Sequence, residues 1–467
     1  MSTLNLQDLM SKHVHFIGMG GSGMSGIARI MLAHGIRVSG SDAKDSATLS
    51  GLHTLGAKVF VGHSAAQIAG AEVLVVSSAV LESNPELVAA KDAGVLILTR
   101  AQALALLMSE SKAIAVAGTH GKTTTTSMLT VALQGAGMDP SFAIGGMINR
   151  SGTNSHLGTG NIFVAEADES DGSFLAYRPF GAIITNIELD HVDHFPDLEA
   201  VLSLFEDFVS SIQSGGFLVL GVDSPGVREL ISRINRTDIS LITYGADAHF
   251  SLSHVGLAAT SAAARVTRKG KVMGELELAI PGAHNLENAL AAYAAGLAVG
   301  SDSIALLKGL ATFSGARRRF ENRGTVNGIT VIDDYGHHPT ELRVTLETAR
   351  RFATTGRVIT IFQPHRYSRT ARFANDFAQS LKLADQVYLL EIYSAGEAAI
   401  PGVSSLLIAQ KLDKDGNDFV QYEPSMIEVA NQVINTAKPG DVIVLMGAGD
   451  VNSLAPVIVD GLAERFS

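Results

Sequence analysis

The chain has 467 residues, enough for about three domains at roughly 150 residues each, and enough to bury cores without disulfide or metal staples. It contains no cysteine, which excludes disulfides, thiolate metal sites and cysteine nucleophiles. A formal net charge of −11 is a poor field for nucleic acid or anionic lipid, and 46% apolar residues is a globular composition.

No apolar run approaches the ~20 residues that span a bilayer, and residues 1–12 carry no apolar core of a signal peptide. These features predict a cytoplasmic protein without nucleic-acid or membrane partners. Residues 13–17 read as a strand and 24–34 as a helix. Strands follow at 37–39, 73–77 and 95–98, with a helix at 85–93. Short apolar runs alternating with helical patterns predict a mostly parallel open sheet with flanking helices, an α/β fold. The pattern restarts at 113–117, with a helix from about 122 to 134. It restarts again at 329–333 and continues through 358–362, 386–391 and 442–446. Three such runs predict three α/β domains, at 1–107, 108–315 and 316–467. Residues 243–281 differ, with alternation and many small polar side chains, and predict a small antiparallel excursion within the central domain.

Two glycine loops stand at the starts of the first two domains. Gly18-Met19-Gly20-Gly21-Ser22-Gly23 follows the strand at 13–17 and opens a helix. Glycines let the backbone approach a diphosphate, and the helix N-terminus offers unpaired N–H groups to its oxygens. Asp42 follows the next strand, where an acid could hold a ribose. The chemistry fits NAD and a nucleotide sugar alike. Gly118-Thr119-His120-Gly121-Lys122-Thr123-Thr124 follows the strand at 113–117 and forms a P-loop shortened at its start, since Val116 stands where a longer loop has glycine. Backbone amides would cradle phosphates, Lys122 would act on phosphate charge rather than pack in a core, and the Thr123 hydroxyl could hold Mg²⁺. Glu166 ends a strand in a burst of carboxylates, and His191 and His194 follow in a second loop. Hard oxygens suit Mg²⁺ and an imidazole can complete its shell. A zinc site on the two histidines is disfavoured, because Pro196 breaks any helix that would align them.

Further along, Asn285 and Asn288 share one face of an alanine-rich helix. They could bind nucleotide, or Asn285 could cap the helix. Arg317-Arg318-Arg319 falls at the second domain junction, with Arg319 the candidate functional residue. Arg366, Arg369 and Arg372 repeat every three residues, which on a helix makes one basic face beyond the strand at 358–362. Arg372 reads as solvent-exposed, while the other two suit a carboxylate.

The P-loop, Glu166, the run Asn186…Asp190-His191…Asp193-His194, the helix His284-Asn285…Asn288, Arg318-Arg319-Phe320 and Asp334-Tyr335-Gly336-His337-His338-Pro339 together resemble the Mur ligases. These are ATP-dependent amide-forming enzymes that build the peptide of peptidoglycan. The resemblance covers nearly the whole chain in order and spacing. Residues 333–341, 362–370 and 18–26 are most similar to the alanine-adding branch.

This resemblance implies a Rossmann-like first domain holding UDP-N-acetylmuramate, a P-loop central domain holding ATP and Mg²⁺, and a Rossmann-like third domain holding L-alanine. It implies a UDP-sugar site at Gly18, Gly20, Gly21, Ser22, Gly23, Met24 and Asp42. The ATP site would comprise residues 118–124, Asn285, Asn288, Arg319, Asp334 and His337. Tyr335, His337, His365, Arg366 and Arg369 would bind the amino acid. Thr123, Glu166 and His191 would bind metal, and Lys122, Glu166, His191 and Arg319 would carry catalysis. The chain would be a monomer or weak homodimer. A branch that returns a recycled tripeptide to the same sugar, a nicotinamide-dependent dehydrogenase and a non-enzymatic nucleotide switch remain as alternatives.

Overall fold

The computed structural model describes residues 5–77, 79–412 and 419–467. Residues 1–4, part of the segment read for a signal peptide, lie outside them. Among the described residues, three sheets follow one another along the chain.

The first sheet is five-stranded and parallel, ordered Lys58–Val61, Arg37–Asp42, His13–Ile17, Val73–Val76, Leu96–Thr99. The strand order reverses between His13–Ile17 and Val73–Val76. Connections leave in opposite directions there and open a crevice for ligand at the strand ends. Gly18 stands at that crevice with φ of 78°, a left-handed backbone that glycine adopts without strain. The strand expected at 37–39 runs on to Asp42, so Asp42 ends the strand instead of following it.

The second sheet is ten-stranded. Its parallel part runs Ser240–Tyr244, Phe217–Gly221, Gly181–Ile184, Lys112–Ala117, Ile162–Glu166, Ser141–Ala143. Lys112–Ala117 lies between Gly181–Ile184 and Ile162–Glu166. The loops after all three strands therefore emerge side by side. The antiparallel excursion is present as Phe250–Leu257, Ala262–Arg268 and Lys271–Leu278, joined to the parallel sheet through the single pair Tyr244–Phe250.

Helix Lys122–Gly135 is buried from Thr123 to Leu133. Three of its hydroxyls are satisfied within the helix: Thr126, Ser127 and Thr130 each donate to the carbonyl four residues back, at 2.7, 2.7 and 2.8 Å. It packs against the alanine-rich helix Ala283–Ala298 and against Ser303–Ala311. A Cβ at Gly135 would fall 2.5 Å from the Gly309 Cα, so two glycines set that crossing.

The third sheet is six-stranded, ordered Glu321–Val326, Ile329–Asp334, Val442–Met446, Val358–Phe362, Gln386–Leu389, Val420–Tyr422. It is parallel apart from its first strand. The loops after Asp334, Phe362 and Met446 leave the same edge. No helix among the described residues is long and apolar enough to cross a membrane.

Candidate active site

The three sheets turn their loop edges toward one cavity of about 720 Å³. Ser22 of the first glycine loop, Lys122 and Thr123 of the P-loop, Glu166, His191, Arg319 and Arg369 all line it. An adjoining cavity of about 340 Å³ is lined by Gly121, Thr124, Asn285, Asn288 and Asp334.

In the first loop, the N–H groups of Gly18 and Met19 both donate to the Ser41 carbonyl at 2.9 Å, and the Gly20 N–H donates to the Asp42 carboxylate at 2.9 Å. Asp42 thus holds the loop through one of its oxygens. Met24 is buried in the core of the first domain, because the helix turns that face to the sheet. Only its backbone remains for a ligand. The Asn154 amide of the central domain donates to the Ser22 carbonyl at 2.8 Å, tying the loop to the second sheet.

Lys122 curls over its own loop. Its Nζ donates to the Gly118 and Thr119 carbonyls at 2.8 and 3.1 Å and pairs with Glu169 at 2.8 Å. Burial opposes its charge, but Glu169, Asp168 and Glu166 outweigh burial and hold it up to about 12. Burial also pushes the Glu169 carboxyl up to about 7, against the pull of Lys122. Lys122 therefore lines the cavity while paired with a buried carboxylate, so it also serves the local structure, where the sequence reading gave it a role on phosphate charge alone. The Thr123 hydroxyl donates to Glu166 at 2.9 Å, and the other Glu166 oxygen accepts the Gly145 N–H at 2.7 Å. His191 lies with Asp168 and Glu169, their donor atoms within 4.8 Å of one another. Its Nδ1 is buried without a partner, and burial lowers its pKa, so it is a neutral imidazole with a free nitrogen. Hydroxyl, carboxylates and unpaired imidazole form a donor set that fits a hard divalent cation. Asp168 and Glu169 were missed from sequence. Both stand in the carboxylate burst after Glu166, and nothing in its spacing tells which members turn inward. His194 is more than half exposed, facing Asp193.

The nucleotide-side residues are already engaged with protein. The N-cap of helix Ala283–Ala298 is Gly282, not Asn285; the Asn285 amide donates to the Pro281 carbonyl at 2.7 Å. Asn288 accepts from Thr125 at 3.1 Å. Asp334 accepts the Phe320 and Gly336 N–H groups, both at 2.8 Å, so it orders its own loop and presents no free oxygen pair to nucleotide. Arg319 reaches the Thr123 hydroxyl at 3.5 Å across the domain junction, and Arg318 and Arg319 both lie over the Tyr335 ring.

Further residues bind the third domain to the central one. His120 is held between Glu188 and Glu341, at 3.4 and 3.2 Å. Burial opposes its charge, but the two carboxylates outweigh it and hold the ring up to about 9. The arginine pair departs from the expected helix face. Arg366 is the N-cap of helix Tyr367–Leu381, with φ of 72°, and pairs with Asp193. Arg369 is buried, bonds Asp190 through two nitrogens at 2.8 and 2.7 Å, and bonds His365 at 3.2 Å. Arg369 holds the Asp190 carboxyl well below the usual carboxylate range despite its burial. Three-residue spacing cannot align two residues when one stands outside the helix, and both charges are already met by aspartates. Arg366 keeps a buried Nε without a partner. Arg372 is exposed, as read from sequence. His337 and His365 are neutral rings, lowered chiefly by burial to about 4 and about 3, and His365 stacks on Tyr393.

Three family models match the chain in sequence order. They are the Mur ligase family catalytic domain over residues 13–112, the Mur ligase middle domain over 116–296, and the Mur ligase glutamate ligase domain over 318–449. A protein of Acidothermus cellulolyticus named UDP-N-acetylmuramate–L-alanine ligase is 47% identical over 455 residues, spanning 97% of this chain and 95% of that one. Among solved structures, a UDP-N-acetylmuramate–alanine ligase of Thermotoga maritima superposes with a TM-score of 0.81 at 30% identity, covering 97% of this chain and 99% of that one. A murein peptide ligase of Psychrobacter arcticus superposes with a TM-score of 0.71 at 26% identity, covering 97% and 99%.

Proposed function

The chain belongs to the Mur ligase family, and from that premise we propose that it joins L-alanine to the carboxylate of UDP-N-acetylmuramate, with ATP converted to ADP and phosphate, in the making of peptidoglycan precursors. The observation that carries this reading is the shared 720 Å³ cavity, where a diphosphate-binding loop, a P-loop and a cluster of arginines face one another. Identity of 47% to a relative of that name supports the same reaction. The three sheets support division of the chain at 1–107, 108–315 and 316–467.

In this reading the muramoyl carboxylate attacks the γ-phosphate, giving an acyl phosphate and ADP. The alanine amine then attacks the acyl carbon, phosphate leaves with the bonding electrons of its C–O bond, and the proton lost by the amine ends on the released phosphate. The loop at residues 18–23 shapes the diphosphate site, with the N–H groups of Ser22 and Gly23 at the helix N-terminus turned to its oxygens. Lys122 exchanges its loop carbonyls for phosphate oxygens and opposes the charge on the transferred group, with Arg319 beside it. Thr123 and Glu166 would hold one Mg²⁺, and His191 with Asp168 and Glu169 a second. The ions would neutralise phosphate charge. Tyr335, His337 and His365 border the amino acid. Arg369 positions His365, and Arg366, which lines the cavity, would meet the alanine carboxylate. The dehydrogenase reading leaves the P-loop unexplained.

The test is ADP release from the full chain with ATP, Mg²⁺, UDP-N-acetylmuramate and one amine at a time. L-Alanine should be used best, glycine and L-serine weakly, since one methyl or hydroxyl changes affinity only modestly. Preference for a tripeptide would instead make the chain a recycling ligase. ATP binding without amine-dependent ADP release would leave the nucleotide switch.

A further inference from the structure

His120 of the P-loop and His338 at the start of the third-domain helix Pro339–Ala353 meet over Glu188, with ring centroids 4.6 Å apart. His120 Nε2 lies 3.4 Å from Glu188 Oε2, and His338 Nδ1 lies 3.8 Å from the same oxygen. A nitrogen of each ring and a Glu188 oxygen all fall within 4.8 Å of one another. Four ligands at about 2.0–2.1 Å from a tetrahedral ion stand roughly 3.4 Å apart, and the two imidazole–Glu188 separations are 3.4 and 3.8 Å. His120 Nε2 is buried with no hydrogen-bond partner, and the His338 side chain is only 6% exposed.

The ring nitrogens suit the same use. His120 is held up to about 9 between Glu188 and Glu341, so an ion would bind by displacing the Nε2 proton, while Nδ1 keeps its proton toward Glu341 at 3.2 Å. A carboxylate behind a ligating imidazole is the usual device for orienting it and raising its basicity. His338 Nδ1 accepts a long bond from the Thr340 N–H at 3.3 Å, so its lone pair serves the helix cap, and an ion would take that lone pair in place of this weak bond. The Thr340 hydroxyl fixes Glu188 at 2.7 Å. Glu188 and Thr340 also line the 340 Å³ cavity, which gives a fourth position access to solvent or an anion.

We propose that His120, His338 and Glu188 form a binding site for a divalent transition-metal ion of the zinc class, bridging the central and third domains and distinct from the hard-oxygen donors around Glu166 and His191. Two imidazoles and one carboxylate favour Zn²⁺ or Co²⁺ over Mg²⁺. Because one ligand comes from the P-loop and another from the third domain, a bound ion would resist their separation. The site does not depend on which amine the protein ligates.

The experiment is a Co²⁺ titration of the full chain with Mg²⁺ in excess, followed by visible ligand-field absorption. The wild type should take up one Co²⁺ with the spectrum of a four-coordinate nitrogen–oxygen site, and Zn²⁺ should displace it. His338→Asn keeps a strong helix N-cap and should weaken Co²⁺ binding at least tenfold. Glu188→Gln should do the same and serves if His338→Asn folds poorly. His191→Ala should leave the spectrum unchanged. No such spectrum in the wild type, its persistence in both His338→Asn and Glu188→Gln, or its loss in His191→Ala would overturn the proposal.

Discussion

At Lys122, one ammonium serves a local structure and a reaction. It satisfies two loop carbonyls and a buried carboxylate, Glu169. Removing one partner of a buried ion pair typically costs about 3–5 kcal/mol. Lys122→Ala should therefore lower the thermal midpoint as well as abolish ADP release. Lys122→Ala with Glu169→Gln should recover much of the midpoint and none of the turnover. If turnover returned with the midpoint, Lys122 would be structural alone. Asp333 gives a second residue-scale expectation. Its side chain is fully buried, with Arg318 and Arg323 at 3.5 and 3.6 Å. Burial pushes the carboxyl up to about 6, against those arginines, above an ordinary aspartate near 3.9. The fold thus resists ionisation here. Stability associated with Asp333 is greatest below pH ~4 and falls as pH rises through 6, by at most about 3 kcal/mol. The gap in thermal midpoint between Asp333→Asn and wild type should shift in the variant's favour from pH 4 to 7, then level off. A gap flat across that range would refute the shift.

At the scale of the loop and helix, Gly20 is constrained by its neighbour rather than by its own torsions. A Cβ there would lie 2.8 Å from Asp42 Oδ2, the atom that holds the Gly20 N–H. Gly20→Val should push Asp42 aside and misplace the amides that face the diphosphate. The KM for UDP-N-acetylmuramate should rise much more than that for ATP. Asp42→Ala should shift the same constant in the same direction, because it removes the same anchor. Steady-state kinetics with each substrate varied in turn distinguishes this from general unfolding, which would lower kcat for all. Equal effects on both KM values would contradict the assignment of this loop to the sugar nucleotide. Gly121 is bound differently: its φ is 80° and a Cβ would meet Asn288 Oδ1 at 2.7 Å, so both torsion and packing demand glycine.

Across the whole molecule, the third domain is latched to the central one by charge. Arg369 pairs with Asp190, Arg366 with Asp193, and Thr340 with Glu188. Asp190→Asn would leave the buried Arg369 without its counter-ion. Hydrogen exchange should then rise at both faces of that junction, and small-angle scattering should report a larger radius of gyration. KM for L-alanine should also increase, because Arg369 no longer orients His365. Arg369→Ala should produce the same changes, and the double variant should be little worse than either single, as expected for one shared interaction. Additive losses would mean that the two residues act separately.

Sequence alone determined the three α/β runs, the two glycine loops, the antiparallel excursion at 243–281 and the family resemblance. These are local signals: an apolar run of five, a glycine whose φ must be positive, a strand followed at once by a helix N-terminus. Each is written in consecutive residues. Where the side chains point was decided by packing. Asp42 turned to Gly20, Met24 into the core, and Asp334 to its own loop, because each lies where the nearest unmet backbone or apolar surface belongs to the protein. Arg366 and Arg369, three apart in sequence, were separated by a helix boundary and met aspartates from another sheet. The cluster of His120, Glu188 and His338 joins residues up to 218 positions apart. No spacing rule reaches across two domains, so only the folding of the three sheets around one cavity brought them together.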